Sequence, residues 1–184
     1  MKAQDLQDLF VDGLRDMLNA ERQIVAALPK MIKAAQNEQL TGALEEHLVV
    51  TQGQVGRLVD AFAALGSTAR GKHCDGMEGI LEEGANHLKE VEPGDVADAG
   101  IIASAQKVEH YEIASYGTLI AYAQTLGLEE ISGLLSQSLE EEKLADHTLS
   151  QIAVGFINAA AVTPEEGATS GNGGKPGRNG KKGH

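Results

Sequence analysis

The sequence predicts an all-α protein built as a four-helix bundle, on three observations. Ala, Leu, Glu and Gln are abundant, while aromatic residues make up only 3% of the chain and Trp is absent, a composition that favours helices over strands. Four long segments repeat apolar residues at alternating steps of three and four, which is the spacing of one helix face. Proline, which interrupts helices, occurs only four times in 184 residues.

The first helix is predicted over Ala3–Gln36 and the second over Glu38–Leu65, with Gly66 as the stop. Their apolar stripes are Phe10, Leu14, Met17, Ile24, Leu28 and Met31 in the first, and Leu44, Leu48, Val55, Leu58, Phe62 and Leu65 in the second. The link between them is so short that the two helices must form an antiparallel hairpin.

The third helix is predicted to begin after Pro93–Gly94 and to end at Gly127, and the fourth to run from Leu128 to Phe156. Their stripes contain Ile102, Ala105, Tyr116, Leu119, Ala123 and Leu126 in the third, and Ile131, Leu135, Leu149, Ile152 and Phe156 in the fourth. This link is also very short, so the pair forms a second antiparallel hairpin.

Roughly 25 residues, Ser67–Glu92, join the two hairpins and include an amphipathic helical piece near Met77–Val91. A helix of 27 residues spans roughly 40 Å, and this connector is long enough to return along it. Two antiparallel hairpins joined by a long crossover that contains a short helix form the ferritin-like topology. We therefore expect a ferritin-like four-helix bundle over residues 1–162.

Residues 163–184 are predicted to form a disordered, mildly basic tail, because Gly, Asn and Lys dominate it and few apolar residues offset the entropy of ordering. Such a tail either binds polyanions weakly or serves as a solubilising end.

Charge and cysteine content exclude several classes of protein. A formal net charge of −12 argues against nucleic-acid binding through the acidic body. The single cysteine, Cys74, allows no internal disulfide and no thiolate metal site, which fits a reducing compartment. No apolar run reaches 18 residues, and the first 13 residues lack a signal-peptide pattern. We expect a cytoplasmic protein without a membrane partner.

Acidic side chains occupy positions where the helical stripes call for apolar residues, and each lies near the middle of its helix. Antiparallel packing aligns these midpoints, so the side chains should converge on one layer of the core. The candidates are Glu21 in the first helix, His47 beside the stripe of the second, Glu109 and Glu112 in the third, and Glu142 and Asp146 in the fourth.

Burying unpaired carboxylates costs several kcal/mol, so these acids are either protonated or neutralised by cations. No Lys or Arg lies within the four stripes, which favours metal ions. Carboxylates with an imidazole suit iron or manganese, whereas zinc sites favour more His and Cys. Each residue alone also has a simpler interpretation: an acid on a solvated face, or, for His47, a hydrogen-bonded and partly buried histidine.

Four segments carry a family resemblance: Gln106–Gly117 (QKVEHYEIASYG), Leu139–Asp146 (LEEEKLAD), Asn19–Gln23 (NAERQ) and Met77–Gly79 (MEG). Through them, residues 5–158 resemble the YciF-like, ferritin-like stress proteins of bacteria, a family first classified as a domain of unknown function. The resemblance implies a homodimer with a di-iron centre, hence two iron ions per chain. It carries the ligand role to Glu112 and Glu142 first, then to Glu21 and Asp146, and then to His47 and Glu109.

One position departs from the family. Its second helix usually reads His-Leu-Glu-Glu-Thr, whereas this chain reads His47-Leu-Val-Val-Thr51, so that Val50 replaces an acid on the core side. The second helix is left with His47 and, as a further polar side chain nearby, Gln54. Either one of the two metals would then bind weakly, or the site would hold a single ion.

Two functions remain open. In the first, iron is bound and Fe(II) is oxidised by oxygen or peroxide, with manganese as an alternative metal. Glu112 and Glu142 would bridge the ions, Glu21, Asp146 and His47 would be terminal ligands, and Tyr116 would lie beside them. In the second, favoured by Val50, the chain is a non-catalytic structural or regulatory stress protein with a vestigial metal site. Storage in a cage has no support in the sequence.

Overall fold

The computed structural model describes residues 3–162, and every regular element within them is helical. In chain order these are α1 (Leu6–Ala34), α2 (Glu38–Ala64), α3 (Asp75–Glu90), α4 (Asp95–Thr125), α5 (Glu129–Ile152), a π-helical turn (Ala153–Ile157) and α6 (Asn158–Val162). The predicted tail, residues 163–184, lies outside the described residues.

The four long helices form a closed ring of neighbours. Helix α1 packs against α2 and α4, and α5 packs against the same two helices. The crossover helix α3 lies outside this ring, against α4 and α1. The predicted ferritin-like bundle of two hairpins joined by a long crossover is therefore confirmed. Its core is dominated by large, fully buried side chains, among them Phe10, Leu14, Met17, Leu58, Phe62, Tyr116 and Leu135.

Helix α1 begins at Leu6, three residues later than predicted from the sequence. The cause is an N-cap: the Oδ1 atom of Asp5 accepts a hydrogen bond from the backbone N–H of Asp8 at 2.9 Å. Asp is a favoured residue for this role. The apolar stripe of the helix does not reveal this boundary, because it starts only at Phe10.

The end of α1 also differs from its predicted position, lying at Ala34 instead of Gln36. Here the cause is tertiary. The buried carboxylate of Asp98, on α4, accepts the backbone N–H groups of Gln36 at 2.9 Å and Asn37 at 2.8 Å. These bonds hold the α1–α2 link in a non-helical conformation and fasten it to the second hairpin.

Both predicted glycine stops are confirmed. Gly66 follows α2 with a φ of 62°, and Gly127 follows α4 with a φ of 71°. This left-handed conformation is strained for residues that carry a Cβ atom, so glycine ends a helix readily.

The predicted fourth helix is wrong at its C-terminal end. Helix α5 stops at Ile152, and the chain continues through the π-helical turn into α6. A π turn contains an additional residue, which shifts the buried face along the sequence. Phe156, predicted in the stripe, is 59% exposed, and Ile157 is buried in its place.

Within residues 3–162, no helix combines the length and the apolar character that a membrane span requires.

Candidate metal centre

Five of the six predicted ligands are buried at the middle of the bundle. Each lies in a helix stripe that is otherwise mainly apolar, so packing of the apolar neighbours carries the polar side chain into the core. The buried five are Glu21 on α1, His47 on α2, Glu109 and Glu112 on α4, and Glu142 on α5. His47 is 8% exposed, and the other four residues are at most 1% exposed.

Four of these residues come together in a single group. His47, Glu109, Glu112 and Glu142 each offer one ligand atom, and these four atoms lie within 4.8 Å of one another. Ligand atoms bound at about 2.1 Å to one ion are separated by about 4.2 Å at most. The four-ligand group (His47, Glu109, Glu112 and Glu142) thus needs only small side-chain adjustments to surround a cation.

Each residue of this group has at least one buried side-chain atom without a hydrogen-bond partner in the described chain. Neither carboxyl oxygen of Glu112 has a hydrogen-bond partner among residues 3–162, and the same holds for Oε2 of Glu109, Oε2 of Glu142 and Nε2 of His47. The Nε2 atom of His47 lies 3.4 Å from Oε1 of Glu109. Buried polar atoms are normally hydrogen-bonded, so a cluster of unsatisfied acceptors at one place is chemically suited to a cation.

Glu21 lies next to the four-ligand group. Its Oε1 atom accepts a hydrogen bond from the hydroxyl group of the fully buried Tyr116. Its Oε2 atom has no partner within the described chain, and its charge raises the pKa of Glu112. Tyr116 therefore fixes the orientation of the Glu21 carboxyl group and leaves one oxygen directed away from that bond.

The structure does not bring Asp146 into the group. Its side chain is 25% exposed and lies 3.4 Å from Nε2 of His110, measured from Oδ1. The same oxygen accepts a hydrogen bond from Nε2 of Gln106 at 3.0 Å. Asp146 follows Glu142 by one helical turn, which places it at the rim of the bundle with polar partners of its own.

Burial changes the proton affinity of the central acids. It raises the pKa of Glu21 to about 8 and the pKa of Glu109 and Glu112 well above the usual range, and the negative charges of neighbouring acids act in the same direction. Burial also lowers the pKa of His47. At neutral pH the metal-free centre therefore holds protons on buried carboxyl groups and a neutral imidazole, and a bound cation would displace those protons.

Two to three turns after His47, helix α2 contributes two further side chains, Gln54 and Arg57, that donate hydrogen bonds to α5. The fully buried Gln54 donates from Nε2 to Oε1 of Glu142 and, at 3.2 Å, to Oε2 of Glu141. The guanidinium group of Arg57 donates from Nη2 to Oε2 of Glu141 and from Nε to Oγ of Ser138 at 3.0 Å. These contacts attach α2 to α5 beside the centre.

Arg57 is the residue that sequence reasoning missed. It lies beside the apolar stripe, next to Leu58, and the stripe positions themselves contain no Lys or Arg. A long side chain can reach inward from a flanking position. The available signal was its spacing, since it follows Gln54 by three residues and therefore shares a helix face with it.

A cavity of about 110 Å³ opens between α2 and α5 and reaches the centre. His47 and Glu109 form part of its lining, and Val50 lies on its wall. The remaining lining residues are Ala43, Leu44, Glu46, Glu141, Leu144, Ala145, Thr148 and Leu149. The cavity provides a mainly apolar route by which a small molecule could approach the four-ligand group.

The fold and the buried cluster together define a ferritin-like helical bundle with a carboxylate–histidine candidate metal centre. A family model described as Domain of unknown function (DUF892) matches residues 5–162. Protein YciF of Escherichia coli (strain K12) is 41% identical over 163 residues, covering 88% of this chain and 98% of that protein. The chain belongs to this DUF892 family, and the resemblance to YciF-like proteins found in its motifs is confirmed.

Solved structures agree. The crystal structure of the E. coli stress protein YciF superposes with a TM-score of 0.80 at 40% identity, covering 85% of this chain and 99% of that one. YcfI of Rhodopseudomonas palustris, proposed in its description to be a structural protein, gives a TM-score of 0.79 at 46% identity, covering 80% and 94%. A protein of Xanthomonas campestris, at 19% identity and a TM-score of 0.67, shares the fold.

Proposed function

We propose that this chain is a stress-related metal-binding protein that holds iron on the four-ligand group and promotes the oxidation of Fe(II). The observation that carries the proposal is the set of buried ligand atoms without partners, above all both carboxyl oxygens of Glu112. The stress-related role is taken from the E. coli relative, which is described as a stress protein.

The donor set favours iron, with manganese as the alternative. Three carboxylates and one imidazole are oxygen-rich, and both metals accept such ligands, whereas structural zinc prefers sites with more sulfur and nitrogen. The thiol of Cys74 takes part in a separate contact, 3.0 Å from the hydroxyl group of Tyr111. Sulfur is thus not among the ligands of the four-ligand group.

The residues of the chain would bind the ion, orient one another and restrict water. His47 is neutral when buried, as a ligand must be, and Tyr116 holds Glu21 in place beside the ligands. The mainly apolar cavity beside Val50 limits access to small molecules. Iron bound here would supply one-electron chemistry between Fe(II) and Fe(III). With peroxide as oxidant, two Fe(II) ions and two protons reduce one H₂O₂ to two waters.

The direct test is Fe(II) oxidation under anaerobic loading followed by H₂O₂ or oxygen, with residual Fe(II) measured by a colorimetric chelator. We expect the wild type to consume Fe(II) faster than buffer and the Glu112→Gln, Glu142→Gln variant to match buffer. Glu140→Gln, a change at an exposed acid of the same helix, is the control and should behave as the wild type. Equal rates in wild type and buffer would contradict the oxidation function.

A non-catalytic structural or regulatory role is the second candidate. The observation favouring it is that α2 offers Val50 and the Gln54 amide where further acids could stand, and the R. palustris relative is described as a proposed structural protein. This candidate predicts normal folding without metal and no Fe(II) oxidation in any variant.

A further inference from the structure

We propose that the centre binds one metal ion per chain, not two, because α2 supplies an amide and a nearby guanidinium where a second ion would need acidic ligands. This inference rests on the proposed metal-binding function and narrows the two irons expected from the family resemblance to one. The single ion would be bound by the four-ligand group.

The number of available ligands falls short of a two-metal set. Two-metal sites in ferritin-like bundles use one Glu from each of two helices and a pair of ligands, three residues apart, from each of the other two. Here Glu21 and Glu142 are the single acids, and Glu109 with Glu112 is one pair. The second pair would come from α2, where His47 is followed three residues later by Val50. One ligand of a two-metal set is therefore missing.

Val50 lies where that ligand would be needed. It lines the same cavity as His47 and Glu109 and is half-buried. Its side chain has no atom that can bind a metal. A carboxylate at this position would reach the cavity beside His47.

The Gln54 amide occupies a further ligand position. Its Nε2 atom donates to Oε1 of Glu142 and to Oε2 of Glu141, so one of the two oxygens of Glu142 is already engaged. An amide nitrogen in this role has no lone pair to offer a metal ion, and the amide oxygen Oε1, which has no partner within the described chain, carries no charge to balance a second cation. The reverse orientation would place the amide oxygen against two carboxylate oxygens, so the two acids fix the nitrogen toward α5.

Arg57 adds a fixed positive charge on the same side. Its guanidinium group binds Glu141 and Ser138, and its side chain is only 15% exposed. Burial raises the pKa of Glu21, and the charge of Arg57 offsets only a small part of that rise. A second divalent ion near Glu21 and Glu142 would be repelled by this cation and by the positive end of the Gln54 amide. Repulsion is weakly screened where the groups are partly buried.

Four residues remain to bind one ion. Nε2 of His47, Oε2 of Glu109, both carboxyl oxygens of Glu112 and Oε2 of Glu142 have no hydrogen-bond partner within the described chain, and each of these residues offers a ligand atom close to those of the other three. Glu21, held by Tyr116, lies outside that group.

The test is the stoichiometry of Fe(II) binding to metal-free protein, measured anaerobically by calorimetry and by elemental analysis after desalting. We expect about one iron per chain in the wild type and about two in the Val50→Glu, Gln54→Glu variant, which restores the count of acids. Val49→Glu adds the same charge to an adjacent residue that is 68% exposed, and should retain one.

The single change Val50→Glu keeps the test valid if the double variant fails to fold, because Val50 is only half-buried; it should raise the stoichiometry above one. Two irons per chain in the wild type, unchanged by Val50→Glu, would overturn the single-ion inference while leaving metal binding intact. Absence of binding in the wild type and in every variant would instead overturn the proposed function.

Discussion

At the residue scale, the central acids are distinguished by what they lack. Glu21, Glu109 and Glu112 are buried, carry raised pKa values and have carboxyl oxygens without partners in residues 3–162. Without a cation such groups oppose folding whenever they must ionise. Metal-free protein should therefore reveal them through the pH dependence of its stability.

The sign follows from proton binding. Below pH 4.5 these acids are protonated in both the folded and the unfolded chain. Above it the unfolded chain releases their protons while the folded chain keeps them, so the free energy of unfolding falls as pH rises, up to about 8 for Glu21. His47, with its lowered pKa, removes stability only on acidification below its usual value of 6.5. Between pH 6.5 and 8 the titration of His47 therefore does not offset the loss of stability that the acids cause.

We predict that metal-free protein loses stability from pH 6.5 to pH 8, and that Glu112→Gln reduces this slope by about 1 kcal/mol per pH unit, because one retained proton is removed. Urea unfolding at several pH values measures it. Glu140→Gln, an exposed acid on α5, should leave the slope unchanged. Equal slopes for Glu112→Gln and the wild type would show that Glu112 does not retain a proton.

The sequence predicted five of the central residues because stripe register and helix midpoints determine them. It could not predict the rim position of Asp146 on α5, which depends on one hydrogen bond from Gln106 and on a contact with His110, both on α4. Nor could it predict Arg57, whose reach depends on a flexible side chain. Register is a property of the helix, whereas these contacts depend on its neighbours.

At the element scale, the helix links hold the two hairpins in register. Asp98 is the main example, because its single buried carboxylate on α4 accepts the backbone N–H groups of Gln36 and Asn37 in the link after α1. This contact spans about 60 residues of sequence, which explains why the periodicity of α1 alone placed its end two residues too late. The π-helical turn after α5 escaped prediction for a related reason, since only tertiary packing selects Ile157 over Phe156.

We predict that Asp98→Ala destabilises the protein by about 2 kcal/mol, because two part-buried N–H groups lose a charged acceptor. Asp98→Asn retains one acceptor oxygen and should lose about half as much. Asp95→Ala, an exposed acid in the first turn of the same helix, should cost well under 1 kcal/mol. Chemical denaturation measures all three. A loss below 1 kcal/mol for Asp98→Ala would show that the link is held by other contacts.

At the scale of the whole molecule, a ferritin-like bundle brings ligand-type residues from four helices to one buried level. Apolar packing above and below that level stabilises the fold, so the bundle can form with its acids protonated and bind metal by exchanging those protons for a cation. Metal binding would then be coupled to pH. It would stabilise the protein most at the pH values at which the metal-free form is least stable. The family relationship fixes the fold, while the departure at Val50 bears on how many ions the proposed centre would hold.

The most direct measurement is the metal content of protein purified without chelators and then loaded anaerobically with Fe(II), compared between the wild type and the Glu112→Gln, Glu142→Gln variant, with circular dichroism confirming that both fold. We expect about one iron ion per chain in the wild type and its loss in the variant. Folded wild type that carries no iron after loading, like the variant, would contradict the central claim and leave the structural or regulatory role in its place.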